Sequence, residues 1–292
     1  MLKTSKELGD IHQIHNWLNQ CAQIYHQLKM RDRITIDLSR LNYITPLGCT
    51  TLLSTLCFLE KHFYLDTVVP QVRKIEDTNV VSYMERMNFF KLCPSDVRFS
   101  FENELDMEVL YSRKRYNKEN SLNEITLCSS DMDVEKFDSA LKRILRNKGI
   151  AANQVSNISR IVTELGLNSV EHGKHNDEIS CYYCIQSYSA GKLGIAICDS
   201  GVGIVESLES HIDFYEDDDD VVRQAIFTTA SSRGKERGKG LPDVRNVALL
   251  LNNAQFYLRT HNNAYQVFND KVVSLHNGQY FNGTYYYIIV SA

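Results

Sequence analysis

The tightest constraint on this 292-residue chain is a pair of apolar runs, CYYCIQSY (181–188) and LGIAIC (193–198), separated by Ser189-Ala190-Gly191-Lys192. Apolar runs of this length, rich in aromatic and β-branched residues and split by a turn, read as neighbouring buried strands. The second run leads straight into Asp199-Ser200-Gly201-Val202-Gly203. A carboxylate at the end of a buried strand sits between apolar walls, where it can accept from an exocyclic amino group. Gly201 and Gly203 permit positive φ and close backbone approach to a flat ligand. Taken alone, the pentapeptide reads more readily as a simple turn.

Upstream lies ELGLNSVEHG, Glu164 to Gly173. Its spacing predicts a helix, with Ile161, Val162, Leu165, Leu167 and Val170 as packing positions. Glu164, Asn168 and His172 are four apart and share one face. A carboxylate and a carboxamide one turn apart suit a hard cation and a proton acceptor: Asn168 offers an oxygen to Mg²⁺, and Glu164 can take a proton. A solvated helix face would look the same.

Downstream, FTTASSRGKERGKGLPDVRNVALLL (227–251) places Gly238-Lys239-Gly240 at the start of a helix whose first turn holds Pro242 and Asp243. A glycine-rich entry leaves helix N-terminal amides free for phosphate oxygens. Arg233, Lys235, Arg237 and Lys239 add positive charge. The spacing is not that of a P-loop, and there is no G-x-G-x-x-G.

Composition narrows the class. Net charge is −4, and hydrophobic and charged residues make up 43% and 23%, as in ordinary globular proteins. Nothing in that balance calls for nucleic acid or an anionic membrane. No apolar run approaches the roughly 20 residues of a membrane span, and the N-terminus is too polar for a signal peptide. The eight cysteines mostly sit inside apolar runs, which fits buried thiols and a cytoplasmic location. Cys181 and Cys184 form a CxxC without a second ligand pair.

The first half reads as a separate unit. Residues 10–29 have helical spacing, with His12, His15 and His26 on or near the helix. RITIDLS reads as a strand. Thr45-Pro46 reads as an N-cap followed by proline in the first turn of a helix. LDTVVPQV reads as a further strand, and 77–92 as a final helix. Residues 111–121 are polar and basic and read as a linker.

Two resemblances follow from these motifs. IDLSRLNYITPLG and the order of elements over about residues 8–100 resemble a STAS-like domain, the fold of bacterial anti-anti-sigma factors. Thr45 and Pro46 stand where that family has Asp-Ser, so its phosphorylation switch cannot operate at Pro46. In the second half, ELGLNSVEHG, DSGVGI, GKGL and Gly283-Thr284 before YYYIIV resemble, in that order, the four boxes of the GHKL ATPases. That group includes the gyrase, heat-shock chaperone, histidine-kinase and mismatch-repair ATPases.

The resemblances imply an α/β fold. A STAS-like α/β domain (1–110) and a linker (111–121) would precede a GHKL α/β sandwich (122–292) with a mixed, mostly antiparallel sheet. ATP with Mg²⁺ would lie between the helix layer and a lid at about 204–237. Glu164 would be the general base and Asn168 the Mg²⁺ ligand. Asp199 would bind the adenine amino group, and Gly201 and Gly203 would shape its pocket. Gly238, Lys239, Gly240 and Leu241 would meet the phosphates, with Thr229 and Thr284 as further nucleotide contacts. The acidic run 216–220 reads as a solvated loop or helix N-terminus.

The short form is most similar to the anti-sigma-factor serine kinases. That implies a regulatory kinase acting on a protein partner, such as a STAS-domain or sigma-like regulator, and allows a homodimer. A nucleotide-gated interaction switch, or a slow ATPase without phosphotransfer, is the other reading.

Overall fold

The computed structural model describes the chain except for residues 76, 78, 115–121, 176, 177, 180, 188–191, 229–239, 249, 252, 253, 269 and 292. The N-terminal half begins with β1 (Leu2–Lys3), β2 (Glu7–Leu8) and α1 (Ile11–Gln27). Asp10 accepts from the Gln13 amide and the Gln13 side chain reaches back, a capping box that fixes where α1 starts. There follow β3 (Arg33–Asp37), β4 (Tyr43–Ile44), α2 (Pro46–Glu60) and β5 (Tyr64–Val68). Thr45 caps α2 as its sequence predicts, and its hydroxyl also donates to the Gly9 carbonyl at 3.0 Å. Strands β1, β3 and β5 form a parallel sheet, and β2 pairs with β4 in parallel.

Next come α3 (Val80–Arg86), α4 (Phe89–Leu92), α5 (Ser95–Glu104) and α6 (Glu108–Tyr111). The single helix expected over 77–92 is broken at Asn88, whose φ of 64° is left-handed. Helix α5 has no counterpart in the sequence reading, because its apolar stripe is short: only Val97 and Phe101 are buried.

The C-terminal half opens with β6 (Leu122–Leu127), α7 (Asp131–Asn147), α8 (Ala152–His172), β7 (Lys174–His175) and β8 (Glu178–Ile179). It continues through β9 (Cys181–Ser187), β10 (Lys192–Asp199), α9 (Ile204–Leu208), α10 (Asp218–Phe227) and α11 (Gly240–Ala248). It closes with β11 (Gln255–Thr260), β12 (Asn263–Val267), β13 (Val272–Asn277) and β14 (Thr284–Ser291). The fold class is α/β as expected. Its dominant sheet runs β13-β12-β11-β14-β10-β9-β6, and every described pairing in it is antiparallel.

Both faces of this sheet are covered. Alternation along β10 sends Ile195 and Ile197 into the core beneath α7, α8, α10 and α11, and sends Ala196 and Cys198 into the core shared with α1 and α2. Tyr286 and Ile288 against Tyr285 and Tyr287 repeat the division on β14. Helices α1 and α2 therefore form a layer between the small parallel sheet and the large antiparallel one. That explains the composition of α2, apolar all round and buried at all but two of its residues. Thr51 of α2 touches the Cys198 thiol at 3.6 Å, and Phe58 meets Phe281 with ring centroids 5.4 Å apart. Residues on both sides of the expected 111–121 linker thus share one apolar core.

Within residues 204–228, expected as part of a lid, helix α10 is packed: its Val221, Val222, Ala225 and Ile226 are buried in the helix-side core, while residues 213–217 before it are exposed. The acidic run is the start of that helix. Asp217 caps it, and Asp219 accepts from Tyr265 (2.7 Å) and Asn263 (2.9 Å). No helix among the described residues is long and apolar enough to cross a membrane.

Phe58→Ala should lower the unfolding free energy by about 3–5 kcal/mol. Trp17 of α1, buried with its indole N–H on Thr55, is the only tryptophan. In denaturant its fluorescence and the far-ultraviolet circular dichroism of the whole chain should report one coincident transition. Separate midpoints would show that the two halves do not depend on a common core.

Candidate functional site

The site is built where β10 ends. Asp199 is the last residue of a strand buried on both faces and is 3% exposed. Its alternation partners Ile195 and Ile197 lie on the helix side, so its carboxylate points toward α8. Two backbone amides converge on Oδ1: Gly201 at 3.0 Å and Thr284 at 3.2 Å. The Oδ2 atom receives neither. Burial pushes the carboxyl up to about 7, and the Gly201 amide, the Ser169 hydroxyl and the Thr284 amide pull the other way. The Ser169 hydroxyl lies close without making a hydrogen bond of normal geometry, and it and the Ser200 hydroxyl are buried with no partner.

Close packing of glycines holds the surrounding loops. A methyl group on Gly201 would fall 2.2 Å from the His172 carbonyl oxygen and 2.6 Å from Gly173 Cα. The loop after β10 therefore rests directly on the end of α8. Gly283, at φ +101°, would place a methyl 2.1 Å from the Asp199 carbonyl oxygen, which brings the start of β14 against the same residue.

Helix α8 carries Glu164 and Asn168 half-buried on one face. Its register against the sheet is keyed by Gly166, whose carbonyl accepts from the buried Tyr183 hydroxyl at 2.8 Å. A methyl on Gly166 would meet that oxygen at 3.0 Å. Helix α11 lies alongside. Arg160 of α8 bonds Asp243 of α11 at 2.6 Å, and Gly240 faces the polar pair: a methyl there would lie 3.2 Å from Glu164 Oε2 and 3.3 Å from Asn168 Nδ2. Burial raises the Glu164 carboxyl, Asp243 raises it further, and Arg160 opposes both. A carboxylate held above its ordinary range is a stronger proton acceptor near neutral pH.

The structure thus brings Glu164, Asn168 and Gly240 together, and joins Asp199, Gly201 and Thr284 into a second cluster through hydrogen bonds. The two clusters are linked by the C-terminal turn of α8. Gly203, at φ +88°, opens α9 against Thr260. Leu241 is half-buried in the first turn of α11. Thr229, Gly238 and Lys239 lie outside the described residues. Among the described residues, no group of three or more His, Cys, Asp or Glu side chains is arranged to hold a metal by itself. Cys181 is buried, with its thiol pushed well up by burial.

Sequence reasoning missed Tyr183, Thr260, Arg259 and the Arg160–Asp243 pair. Only Gly166 left a signal, since a glycine inside a helical pattern costs stability and marks close packing.

No family model matches the chain, and no curated protein matches it. Solved structures that align with it include the SiaB-SiaC complex from Pseudomonas aeruginosa, at 11% identity over 59% of this chain and 92% of that one, TM-score 0.32. Full-length ShkA in complex with AMPPNP aligns at 13% identity over 84% of this chain and 43% of that one, TM-score 0.31. The histidine kinase domain of the Erythrobacter litoralis blue-light activated histidine kinase aligns at 12% identity over 96% and 95%, TM-score 0.29. Likenesses at these TM-scores carry no functional weight.

A carboxyl whose folded pKa lies above its unfolded value binds its proton more tightly when folded. Stability is then lost as pH rises from the unfolded value, about 4, through the folded one, about 7. Asp199→Asn is neutral throughout. It should melt above the wild-type protein at about pH 8, with the gap closing at about pH 5. Thermal melts at the two pH values check this, and a pH-independent gap would contradict it.

Proposed function

We propose that the C-terminal half binds a purine nucleotide, ATP with Mg²⁺, at Asp199 and the α8–α11 seam. The observation that carries this is the Asp199 carboxylate, buried among apolar walls with two backbone amides fixed on one oxygen and the other left for a donor. The buried Ser169 hydroxyl beside it adds a polar group to a site that receives a polar ligand.

Asp199 accepts an amino group at the base edge, and that acceptor favours adenine over a base with an oxo group there. Asn168 supplies a neutral oxygen donor. One such donor suffices for Mg²⁺ that keeps water and phosphate oxygens as its remaining ligands. Gly240 lets the first turn of α11 come close beside Glu164 and Asn168, so that amides at the helix N-terminus can meet phosphate oxygens next to the polar pair. Mg-ATP supplies a transferable phosphoryl group when bound. Glu164 stands one turn from Asn168 and takes a proton from the attacking hydroxyl of a protein partner or from water.

Together with the box resemblance, this favours a regulatory kinase of the anti-sigma-factor type acting on a protein partner. The second reading is a nucleotide-gated interaction switch. The contact of Thr51 on Cys198, the residue before Asp199, favours it, because it ties the N-terminal half to the strand that carries the base-binding carboxylate.

Mg-ATP at about 100 times its Kd should raise stability by about 2.7 kcal/mol, and Asp199→Asn should remove most of that shift. Glu164→Gln should keep the shift and lose roughly 10²–10⁴-fold in phosphate release or in labelling of a partner protein from γ-labelled ATP. Binding with no label and no released phosphate would leave the switch as the surviving reading. No shift with any adenine nucleotide would remove both.

A further inference from the structure

The base-binding carboxylate is set by residues that no motif contains. Arg259, on β11, is fully buried at 0% exposure. Among the described residues no carboxylate pairs with it, and its Nε has no partner. A buried guanidinium without a counter-ion is expensive, and burial draws its pKa down to about 10. Its two terminal nitrogens are committed to backbone: Nη1 donates to the Phe281 carbonyl at 2.9 Å and Nη2 to the Gln279 carbonyl at 3.1 Å. Both carbonyls lie in the connection 278–283, which delivers Gly283 and Thr284 onto Asp199.

The next residue points to the opposite face, as strand geometry requires. Thr260 Oγ1 accepts from the Ile204 amide at 3.0 Å and sits 2.9 Å from where a methyl on Gly203 would be. Consecutive residues of one strand end thus hold both loops that donate to Asp199. Arg259 holds the 278–284 side and Thr260 the 200–204 side. The N-terminal half completes the clamp: Asn19 accepts from the Gln279 amide at 3.1 Å, and Phe58 packs on Phe281.

We infer that Arg259 and Thr260 are positioning residues for base recognition: together they fix the two amide-bearing loops that orient the Asp199 carboxylate toward the amino group of an adenine. This rests on the nucleotide reading above and adds to it the residues that set base selectivity. The 278–283 connection is also the route by which the N-terminal helices bear on that selectivity.

The test is a selectivity ratio, which a merely structural role would not move. Calorimetric affinities of the full chain for Mg-ADP, Mg-GDP and inorganic tripolyphosphate are compared in wild type, Arg259→Met, Arg259→Lys, Thr260→Val and Thr260→Ser. Each variant is first confirmed folded by its melting curve. Thr260→Val is nearly volume-conserving and remains informative if Arg259→Met does not fold.

The wild-type protein should prefer ADP over GDP. Arg259→Met and Thr260→Val should erode that preference by about tenfold or more while leaving tripolyphosphate affinity within about twofold. Thr260→Ser, which keeps the hydroxyl, should restore the preference, and Arg259→Lys should restore part of it. Equal losses for all three ligands, or an unchanged ratio in the folded variants, would overturn the inference while leaving nucleotide binding intact. A wild-type protein that binds neither nucleotide would overturn the nucleotide reading itself.

Discussion

Burial of the large antiparallel sheet on both faces is the constraint from which the rest of the molecule follows. Antiparallel sheets commonly leave one face to water. Here the helices α7, α8, α10 and α11 take one face, and α1 and α2 take the other. A central strand such as β10 has no wet side, so a polar residue at its end must find its partners in protein or in a ligand. Asp199 is that residue. Its two amide donors, its raised pKa and the buried Ser169 hydroxyl nearby are consequences of where β10 lies.

The same constraint explains why so many glycines gather at one place. Gly201 and Gly283 each allow two stretches of backbone to approach closer than a side chain would permit, and Gly173 brings the end of α8 against the Asp199 side chain. The three approaches bring the end of α8, the exit of β10 and the entry of β14 together around one carboxylate. Gly240 does the same for α11 against Glu164 and Asn168. Only two of these four, Gly201 and Gly240, fall where the motif spacing singled out a ligand contact. Gly173 reads as the end of a helix and Gly283 as a neighbour of Thr284.

Legibility divided along a physical line. Signals confined to one element were readable: the cap at Thr45, the helical face of Glu164 and Asn168, the strand pair 181–198, and the helix start at Gly240. What failed depended on distant residues. The helix expected over 77–92 breaks at Asn88 because the chain turns there to pack α4 and α5. The acidic run was readable as a helix start, but not that Asp219 within it is tied to Tyr265 and Asn263, more than forty residues away. Strands β11, β12 and β13 carried no site motif, and with them the roles of Arg259 and Thr260 went unread.

The sequence by itself determined which residues can do chemistry: a carboxylate leaving an apolar strand, a carboxylate and carboxamide one turn apart, and a glycine-rich helix entry, in fixed order. Those properties reside in residue type and local spacing. Tertiary structure alone decided that Gly240 meets Glu164 and Asn168, that Thr284 bonds Asp199, and that a buried arginine holds the loop between them. It also decided that the N-terminal half is the second cover of the sheet. Each of these is a contact between residues far apart in the chain, where periodicity carries no information and only the packing of whole elements brings the groups within reach.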